Sequence, residues 1–391
     1  MAIEGKDDGA PRPIRLGMVG GGQDAFIGGV HRIAARLDGQ FELVAGAFAS
    51  TPERSRASGA ALGIDPSRVY DDFVAMAKRE ARLKDGIEAV AVVTPNHVHH
   101  AAAREFLRRG IHVICDKPLT STLADARKLA KAAEASDALF VLTHNYTGYP
   151  MVRQAREMVA AGDLGTLRVV QVEYPQDWLT EDLEATGQKQ AGWRTDPERS
   201  GAGGSIGDIG THAYNLAGFV TGLELEELAA DMQSFVDGRR VDDNAHVLLR
   251  YRGGARGMLW SSQVAPGNEN ALRLRVYGTA GGLEWEQEHP NHLWFTPYGQ
   301  PKRLITRGGA GAGDAAARVS RIPPGHPEGY LEGFANIYGE AAAAIRAARD
   351  GQAPDDDVTF PTVQDGLAGV AFVDACVRSS ARGGAWVKPS A

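Results

Sequence analysis

Between residues 14 and 145 the sequence alternates short apolar runs with amphipathic helical patterns, and this alternation constrains the fold more than any other feature. Such runs are typical of strands buried on both faces of a parallel sheet, with helices as the crossover connections. The strand candidates are IRLGMVG, FELVAGAF, AVAVVTP, HVICDKP and LFVLTHN. We therefore expect an α/β fold that begins with a doubly wound parallel sheet.

The second half of the chain has a different pattern. Alternating runs in DNAHVLLRY, RGMLWSSQVA and LRLRVYGTAGGLEWEQE are typical of an antiparallel sheet. A loop-rich stretch over residues 175–205 precedes a helical pattern near 208–218, and two further helical patterns close the chain. Residues 307–327 are rich in Gly, Ala and Pro, which predicts a long excursion or a lid.

Length and composition indicate a two-domain protein. The 391 residues are 43% hydrophobic and 23% charged, enough for more than one core. We expect a flexible tail over residues 1–12, a first domain over 13–145 and a second over 146–391. The net charge of -7 comes without a long run of either sign, which argues against nucleic acid or an anionic membrane as partner and favours small polar molecules.

Cysteine usage and the N-terminal sequence bear on the compartment. Cys115 and Cys376 are far apart and have no metal-ligand spacing, so we expect no disulfide framework and a reducing environment. The first residues, MAIEGKDDGAPRP, lack the apolar core of a signal peptide, and no apolar run reaches the roughly 18 residues of a spanning helix. The expected location is the cytoplasm.

The stretch MVGGGQDAFIGGVHRIA, residues 18–34, joins the first strand to the first helix through a glycine turn. Free backbone N–H groups and the helix dipole at such a junction suit a pyrophosphate, so we predict a nucleotide site that includes Gly20, Gly22, Phe26 and Ile27. The spacing is unusual, because Gly22 and Gly28 lie six residues apart instead of the usual three. A purely structural turn is the alternative, and the role of the inserted residues 23–26 stays open.

The end of the second strand candidate bears on which dinucleotide is bound. A carboxylate there would hold the ribose 2′-hydroxyl of NAD, but the position falls near Ala49. Ser50, Thr51 and Arg54 are suited to a 2′-phosphate, which favours NADP. Neutral residues also tolerate NAD, and Arg54 is equally consistent with an ordinary solvated charge.

The third strand candidate ends in TPNHVHHAA, at the sheet edge where ligands bind in doubly wound folds. We expect Thr94, Pro95 and Asn96 to line the nicotinamide side, and His99 to contribute to the cofactor site. His97, His99 and His100 suggest a metal at first sight. Since the following helix would scatter them and no Cys or carboxylate cluster completes a site, we predict no metal.

The fourth strand candidate ends in CDKPLT, which puts Asp116 and Lys117 at the mouth of a buried strand. We assign Asp116 to the cofactor site and Lys117 to both cofactor and substrate, since a lysine there is either poorly solvated or positioned to act. Farther along, Asp208 and His212 are four residues apart in a helical pattern and share a face. His212 is the candidate base for a hydroxyl proton, Asp208 its partner, and Lys117 the group that favours an alkoxide. An incidental surface pair is the alternative.

Other side chains suit a polyhydroxylated substrate, which presents both C–H faces and hydroxyls. They lie in THNYTGYP and in the loop before the Asp208 helix, although each is equally consistent with a structural role. These candidates for substrate contact are Asn145, Tyr146, Asp177, Trp178, Trp193 and Arg194.

Together these motifs resemble those of the Gfo/Idh/MocA oxidoreductases, which include glucose-fructose oxidoreductase and inositol dehydrogenases. The matching pieces are GMVGGG with IGGVHR, VVTPNHVHHAAAREFLRRGIHVICDKPL, GAGGSIGDIGTH and VYGTAGGLEW. The resemblance implies a Rossmann domain followed by an α/β domain with a large, open, mainly antiparallel sheet, often used for dimer or tetramer contacts. It also implies NAD(P) as hydride carrier, sugars or cyclitols as substrates, and catalytic roles for Lys117, Asp208 and His212.

Two departures from the family pattern matter. Asp116 stands where Glu is usual, a conservative change that should leave Lys117 in place. The QDAF insertion resembles a sub-branch close to inositol and sugar dehydrogenases, some members of which are acidic at the position of Ala49. Both NAD and NADP therefore stay open.

The function we expect is an NAD(P)-dependent dehydrogenase acting on a secondary hydroxyl of a sugar, cyclitol or anhydrosugar. One alternative is an NAD-dependent, redox-neutral glycosidase or glycoside-oxidising enzyme. Another is a non-catalytic sensor that binds the dinucleotide, against which the joint presence of Lys117, Asp208 and His212 argues.

Overall fold

Five parallel strands form the first sheet of the computed structural model, which describes residues 11–23 and 25–390. Most of the tail predicted over residues 1–12 lies outside this range. The strands are β1 (Ile14–Gly20), β2 (Phe41–Ala47), β3 (Ala89–Val93), β4 (His112–Cys115) and β5 (Phe140–Leu142), in the order β2-β1-β3-β4-β5. All five residues of β3 are buried, as a central strand covered on both faces requires.

Helices follow the first four strands and cover both faces of this sheet. They are α1 (Phe26–Leu37), α2 (Pro52–Ala61), α3 (Phe73–Glu80), α4 (Asn96–Leu107) and α5 (Leu123–Glu134). Side-chain caps set several of the starts: Thr51, Asp72 and Thr122 each accept a hydrogen bond from a backbone N–H in the first turn that follows. The doubly wound parallel sheet is confirmed.

The second sheet has eight strands and is mainly antiparallel, also as predicted. Its strands are β6 (Leu167–Pro175), β7 (Leu225–Gln233), β8 (Asn244–Tyr251), β9 (Arg256–Ser262), β10 (Arg273–Gly278), β11 (Gly281–Glu286), β12 (His292–Pro297) and β13 (Arg303–Thr306). They lie in the order β13-β12-β11-β10-β6-β9-β8-β7, and the β6–β9 pair is parallel. Burial alternates along β8 and β11, so one face of the sheet is packed and the other exposed.

The remaining helices are α6 (Pro150–Ala160), α7 (Lys189–Arg194), α8 (Pro197–Ser200), α9 (Thr211–Thr221), α10 (Asp314–Ala317), α11 (Tyr330–Arg349) and α12 (Val363–Ser380). Helices α6, α9 and α12 pack on the second sheet. The chain then returns to the first sheet, because α11 packs against α1 and α12 against α5. Phe334 and Tyr338 of α11 share one apolar cluster with Leu16 and Met18 of β1. The last helices thus contact both sheets, while the division at residue 145 stays a prediction.

Residues 307–327 form a loop closed around one buried side chain. The Arg307 guanidinium donates hydrogen bonds to the carbonyl oxygens of Ile322 and Pro323 and pairs with Glu328 at 3.1 Å. Within the loop, α10 packs on α6. The segment is an excursion that packs on the second half of the chain, and Arg321 within it also pairs with Asp38 at the end of α1, with Nε 2.7 Å from Oδ1. None of the helices in the ranges described has both the length and the apolar character needed to cross a membrane.

Candidate active site

A cleft of about 1360 Å³ opens at the carboxyl edge of the first sheet, between that sheet and the second half of the chain. Most of the residues predicted for the site line it. They are Gly20, Gly22, Phe26, Ile27, Ala49, Ser50, Arg54, Thr94, Pro95, Asn96, Asp116, Lys117, Tyr146, Trp178, Trp193, Arg194, Asp208 and His212. Residues of the 307–327 loop are not part of this lining, so this segment does not form a lid over the cleft.

The stretched glycine loop keeps a tight contact between strand and helix. Gly20 and Gly21 turn the chain with φ of +78° and +69°. A Cβ on Gly28 would come within 2.4 Å of the Cα of Gly21, so the helix touches the turn despite the longer spacing. Helix α1 begins at Phe26, so Gly28 lies in its first turn, and from there it contacts Gly21. Asp24 of the insertion lies outside the described residues.

Three observations at this turn fit a dinucleotide. A Cβ on Gly22 would come within 2.6 Å of Ser58 Oγ and 2.8 Å of the Phe48 carbonyl oxygen, so only glycine lets the turn lie this close to the end of β2, in the lining of the cleft. Helix α1 has no side-chain cap at Ala25, which leaves N–H groups of its first turn available to an anion. The buried Oγ1 of Thr94, at the end of β3, has no hydrogen-bond partner among residues 11–23 and 25–390.

The far end of the cleft, beyond β2, has the carboxylates of Asp71 and Asp72 in its lining but none at the end of β2 itself. Ala49 stands where an acid would bind a ribose, and Ser50 and Arg54 line the cleft and are exposed. Asp71, which the sequence reasoning did not single out, also lines this end, but its carboxylate pairs with Arg56 at 2.8 Å. Arg54 forms no ion pair within the described part of the chain.

Hydrogen bonds hold both the backbone N–H and the ammonium group of Lys117. Its backbone N–H donates to Oδ1 of Asp116 at 2.9 Å, and the same oxygen accepts a hydrogen bond from Thr143 at 3.1 Å. Aspartate in place of glutamate therefore keeps Lys117 at the mouth of β4. Its Nζ donates to the backbone oxygen of Asp208 at 2.8 Å and to Oδ1 at 2.9 Å. Burial alone would raise the pKa of Asp116, but His31 and Lys117 lower it to about 2.

The carboxylate of Asp208 accepts hydrogen bonds from three side chains. Beside Lys117, its Oδ2 accepts hydrogen bonds from Arg194 Nε at 3.1 Å and Gln263 Nε2 at 3.0 Å. Burial would raise the pKa of Asp208, but the charges of Lys117 and Arg194 hold it well below its usual range. The residue lies in a π-helical turn, Ile206–Gly210, that precedes α9. Such turns are frequent at functional sites, and a regular helical pattern did not predict this one.

His212 follows in the first turn of α9 and is buried among aromatic rings. Its ring centroid lies 4.9 Å from that of Tyr146 and 5.3 Å from that of His144. Burial first, and then the charge of Lys117, lowers the pKa of His212 well below its usual value. Burial likewise lowers the pKa of His144, which sequence reasoning missed, to about 3. Both imidazoles are therefore neutral at neutral pH, and a neutral imidazole can accept a proton.

Next to His212, uncharged polar groups form a connected network. Tyr174 and Gln176 each donate to Oδ1 of Asn270 at 2.7 Å, and Trp178 donates to Gln176 at 3.1 Å. Tyr146 is hydrogen-bonded to Tyr174. Tyr174, Gln176 and Asn270 line the cleft but were not predicted. The i, i+2 spacing of Tyr174 and Gln176 on an extended strand was the available signal, whereas Asn270 offered none.

Two family descriptions match the chain. "Oxidoreductase family, NAD-binding Rossmann fold" matches residues 14–144, and "GFO/IDH/MocA C-terminal domain" matches residues 152–284. The chain belongs to the Gfo/Idh/MocA oxidoreductase family. Members of this family are NAD(P)-dependent oxidoreductases, and the first sheet is its NAD-binding Rossmann fold.

Relatives in the Gfo/Idh/MocA family align over nearly the whole chain. The "uncharacterized oxidoreductase YfiI" of Bacillus subtilis is 35% identical, over 96% of this chain and 97% of its own. An oxidoreductase from Sinorhizobium meliloti has a solved structure that is 69% identical, with a TM-score of 0.89 over 97% of this chain and 100% of its own. An inositol dehydrogenase homolog from Azotobacter vinelandii, complexed with NAD+, is 40% identical with a TM-score of 0.92, over 96% and 97%.

Four predicted residues of this Gfo/Idh/MocA chain lie outside the cleft lining, and one of them, Thr51, caps α2 instead of facing the cleft. The two ring nitrogens of His99 each lie 2.9 Å from a carbonyl oxygen, of Thr94 and of Pro118, so His99 ties together the ends of β3 and β4. Asp177 accepts a hydrogen bond from the Gly267 backbone at 3.2 Å. Asn145 is buried behind the cleft wall. Over the ranges described, no group of His, Cys, Asp and Glu has the arrangement of a metal site.

Proposed function

We propose that this oxidoreductase is a dehydrogenase that oxidises a secondary hydroxyl of a sugar, cyclitol or anhydrosugar, or reduces the corresponding ketone. The observation that carries the proposal is that Lys117, Asp208 and His212 line the same cleft as the glycine turn. A hydride acceptor and an acid–base group must both reach one carbon–oxygen bond in such a reaction.

The residues around the turn are the ones we assign to the dinucleotide. They are Gly20, Gly22, Phe26, Ile27, Ser50, Arg54, Thr94, Pro95, Asn96, Asp116 and Lys117. When bound there, the nicotinamide supplies the hydride acceptor or donor. We assign His99 an indirect part, because its buried ring lies between the Thr94 and Pro118 carbonyl oxygens and donates its single N–H to one of them.

In the oxidation direction we assign His212 the role of base. Its imidazole is neutral, and we assign the proton of the reacting hydroxyl to Nε2; the hydrogen of the neutral ring then lies on Nδ1, which is buried and has no partner among the residues described. Lys117, whose Nζ is already turned into the cleft, donates to the same oxygen and favours the alkoxide. Asp208 holds Lys117 and Arg194 in place, and in the reduction direction the proton returns from His212.

Uncharged hydrogen-bonding groups beside His212 support a polyol as substrate. Tyr146, Trp178 and Arg194 are the predicted residues we assign to it, and Asn270 joins them. Aromatic faces and amide groups match the C–H faces and hydroxyls of a ring. We keep Asn145 and Asp177 only as distant supports. The Azotobacter vinelandii inositol dehydrogenase homolog, 40% identical, has also been solved with NADH and myo-inositol, which supports a cyclitol or sugar here.

We infer that Ser50 and Arg54 admit the 2′-phosphate of NADP, while the absence of a carboxylate at Ala49 also leaves NAD acceptable. Support comes from the exposure of Arg54 toward the cleft without an ion-pair partner among the residues described. We also propose a cytoplasmic location, because Cys115 and Cys376 are both free and buried.

We propose that the protein is a homodimer or homotetramer that pairs through the exposed face of the second sheet. Large apolar side chains on that face are exposed by 38% or more: Val169, Leu248, Met258, Trp294 and Leu304. Leu248 and Met258 are direct cross-strand neighbours on β8 and β9. Light scattering should give a monomer for the double variant Leu248→Lys, Met258→Lys, and an unchanged assembly in that variant would exclude this face.

The test of the function is a panel of cyclitols, sugars and anhydrosugars, each incubated with NAD or NADP and followed by the absorbance of the reduced nicotinamide. A dehydrogenase gives a net absorbance increase with at least one polyol. Release of sugar from a glycoside without that increase would instead indicate the redox-neutral glycosidase. Tight dinucleotide binding without any turnover would indicate a sensor.

A further inference from the structure

A buried polar chain lies behind Lys117 and takes no part in the mechanism above. His31 of α1 is fully buried, and its Nδ1 lies 2.8 Å from the hydroxyl of Tyr338 on α11. The opposite ring nitrogen, Nε2, has no hydrogen-bond partner in the described part of the chain and lies 3.9 Å from Oδ1 of Asp116. That oxygen is the one that accepts the backbone N–H of Lys117.

The two contacts of His31 favour a hydrogen on its Nε2 atom. A neutral imidazole has one N–H, and the bond made by one nitrogen decides which nitrogen carries it. If Tyr338 donates to Nδ1, the proton lies on Nε2 and faces the carboxylate of Asp116. The reverse arrangement would aim a lone pair at that carboxylate in a buried site, which is unfavourable. The Nε2–H form is therefore preferred, and a shift of about 1 Å would bring it within hydrogen-bond distance.

We propose that His31 is a positioning residue, whose Nε2–H holds the Asp116 carboxylate while that carboxylate holds the main chain of Lys117. The kinetic consequence rests on the proposed function, because it assumes that Lys117 acts on the substrate. Tyr338 belongs to α11, so the second half of the chain contributes to the position of a residue at the mouth of β4. The position of Lys117 thus depends, through Asp116 and His31, on how α1 packs against α11.

Few charged groups compete with His31 for Asp116. Among the residues described, those that face this carboxylate are His31 from α1, His99 from α4, Cys115 at the end of β4, His144 after β5, Tyr330 and Tyr338 from α11, and Lys117 beside it. His31 and Lys117 both lower the pKa of Asp116, against the effect of burial. Loss of His31 should therefore raise the pKa of Asp116, and protonation at low pH would release the Lys117 backbone.

The decisive pair of variants is His31→Leu and His31→Gln. Leucine removes the donor, whereas glutamine places an amide N–H near the position of Nε2. In His31→Leu we expect kcat to fall about 10- to 100-fold with little change in KM, and the acid limb of the kcat profile to move to higher pH. In His31→Gln most of kcat should return. A purely structural role would lower kcat equally at every pH, and glutamine would not rescue it.

Tyr338→Phe is the milder variant, for use if His31→Leu does not fold. It removes one hydroxyl, and ¹⁵N NMR of the His31 ring should show Nε2–H in the wild type and a mixture of tautomers in the variant. An Nδ1–H tautomer in the wild type would overturn the proposal, and so would kcat profiles of His31→Leu and wild type that superimpose.

Amide exchange separates this inference from the proposed function. If the wild type turns over no polyol, the function fails, but exchange of the Lys117 backbone N–H can still be followed by NMR. We expect faster exchange in His31→Leu and near wild-type exchange in His31→Gln. Unchanged exchange in His31→Leu would contradict the positioning role whatever the protein catalyses.

Discussion

The two walls of the cleft are built in different ways. The wall on the first sheet centres on a main-chain turn, where Gly20, Gly21 and Gly28 pack so closely that side chains are excluded. The opposite wall, around Asp208 and His212, is made of side chains that come together from distant elements. A ligand would meet backbone N–H groups on the first wall and charged or amide groups on the second.

This difference teaches which changes each wall tolerates. On the glycine wall an added carbon atom collides with backbone, so size decides the effect of a substitution. On the Asp208 wall the atoms have room, but each buried charge depends on a partner: the Lys117–Asp208 pair is largely buried, and Arg194 completes it. Removal of a partner there changes charge and proton affinity without changing the shape of the dinucleotide site.

The largest effect should come from Lys117→Ala. The variant removes the cation that faces the reacting oxygen, and we expect kcat to fall by about 10³-fold, in the range of a lost acid–base group. Dinucleotide affinity, measured by fluorescence titration, should survive, since most of that site is backbone. Lys128→Ala is the matched control: this exposed lysine pairs with Asp125 on α5, away from the cleft. Full turnover in Lys117→Ala would show that the Lys117 cation does not act on the substrate, and it would contradict the different roles assigned to the two walls.

Gly28→Ala tests the other wall. Its Cβ would lie 2.4 Å from the Gly21 Cα and 2.5 Å from the Gly21 oxygen, so the turn must move. We expect the dinucleotide Kd to rise about tenfold or more, with a loss of about 1–3 kcal/mol in the free energy of unfolding. Gly29→Ala is the control, because its Cβ would meet only Arg32 at 3.9 Å. Equal behaviour of the two variants in titration and denaturation would refute the tight contact.

The pH dependence should distinguish the walls in the wild type. Because the pKa of His212 is depressed, its neutral form persists as pH falls, and only below that pKa is the base lost. We expect kcat/KM for oxidation to stay level through the ordinary histidine pKa of about 6.5. A tenfold fall per pH unit starting near that value would mean that His212 is not the depressed base we infer. The dinucleotide Kd should show no histidine titration.

Arg54→Ala should have the smallest effect, and it tests whether this side chain contacts the 2′-phosphate of NADP. An exposed ion pair contributes about 1 kcal/mol or less, so the Kd for NADP should rise about fivefold at most. The Kd for NAD should be unchanged, since NAD has no group for this side chain. Isothermal titration with both dinucleotides makes the comparison. Equal changes for the two would show that Arg54 does not contact the 2′-phosphate.

The glycine wall was accessible from the sequence because its signals are local. The GGG turn, the buried strand β1 and the amphipathic α1 are adjacent in the chain, and Lys117 follows directly on β4. Local patterns also predicted both sheets, but β7, β12 and β13 were missed. Strand β7 carries charges in LEELAADMQ, β12 (HLWFTP) has consecutive apolar residues, and β13 is a strand of 4 residues at the sheet edge, so none of them shows a clear apolar alternation.

The second wall depends on contacts that no spacing encodes. Gln263 and Asn270 lie after β9, far from Asp208 and Tyr174 in sequence, and only the parallel β6–β9 pairing and the loop beyond it bring them to the cleft. His31 lies in the helical pattern after the glycine turn, and no spacing in the sequence marks it as a site residue. It faces Asp116 because α1 packs between the first sheet and α11.

The most direct test of the whole account is a paired measurement on His212→Ala: turnover of a polyol that the wild type oxidises, and the dinucleotide Kd of the same preparation. We predict that turnover falls by about 10³-fold while the Kd is unchanged, because His212 belongs to the substrate wall alone. Turnover near the wild-type rate would contradict the assignment of His212 as the base and, with it, the division of labour between the two walls.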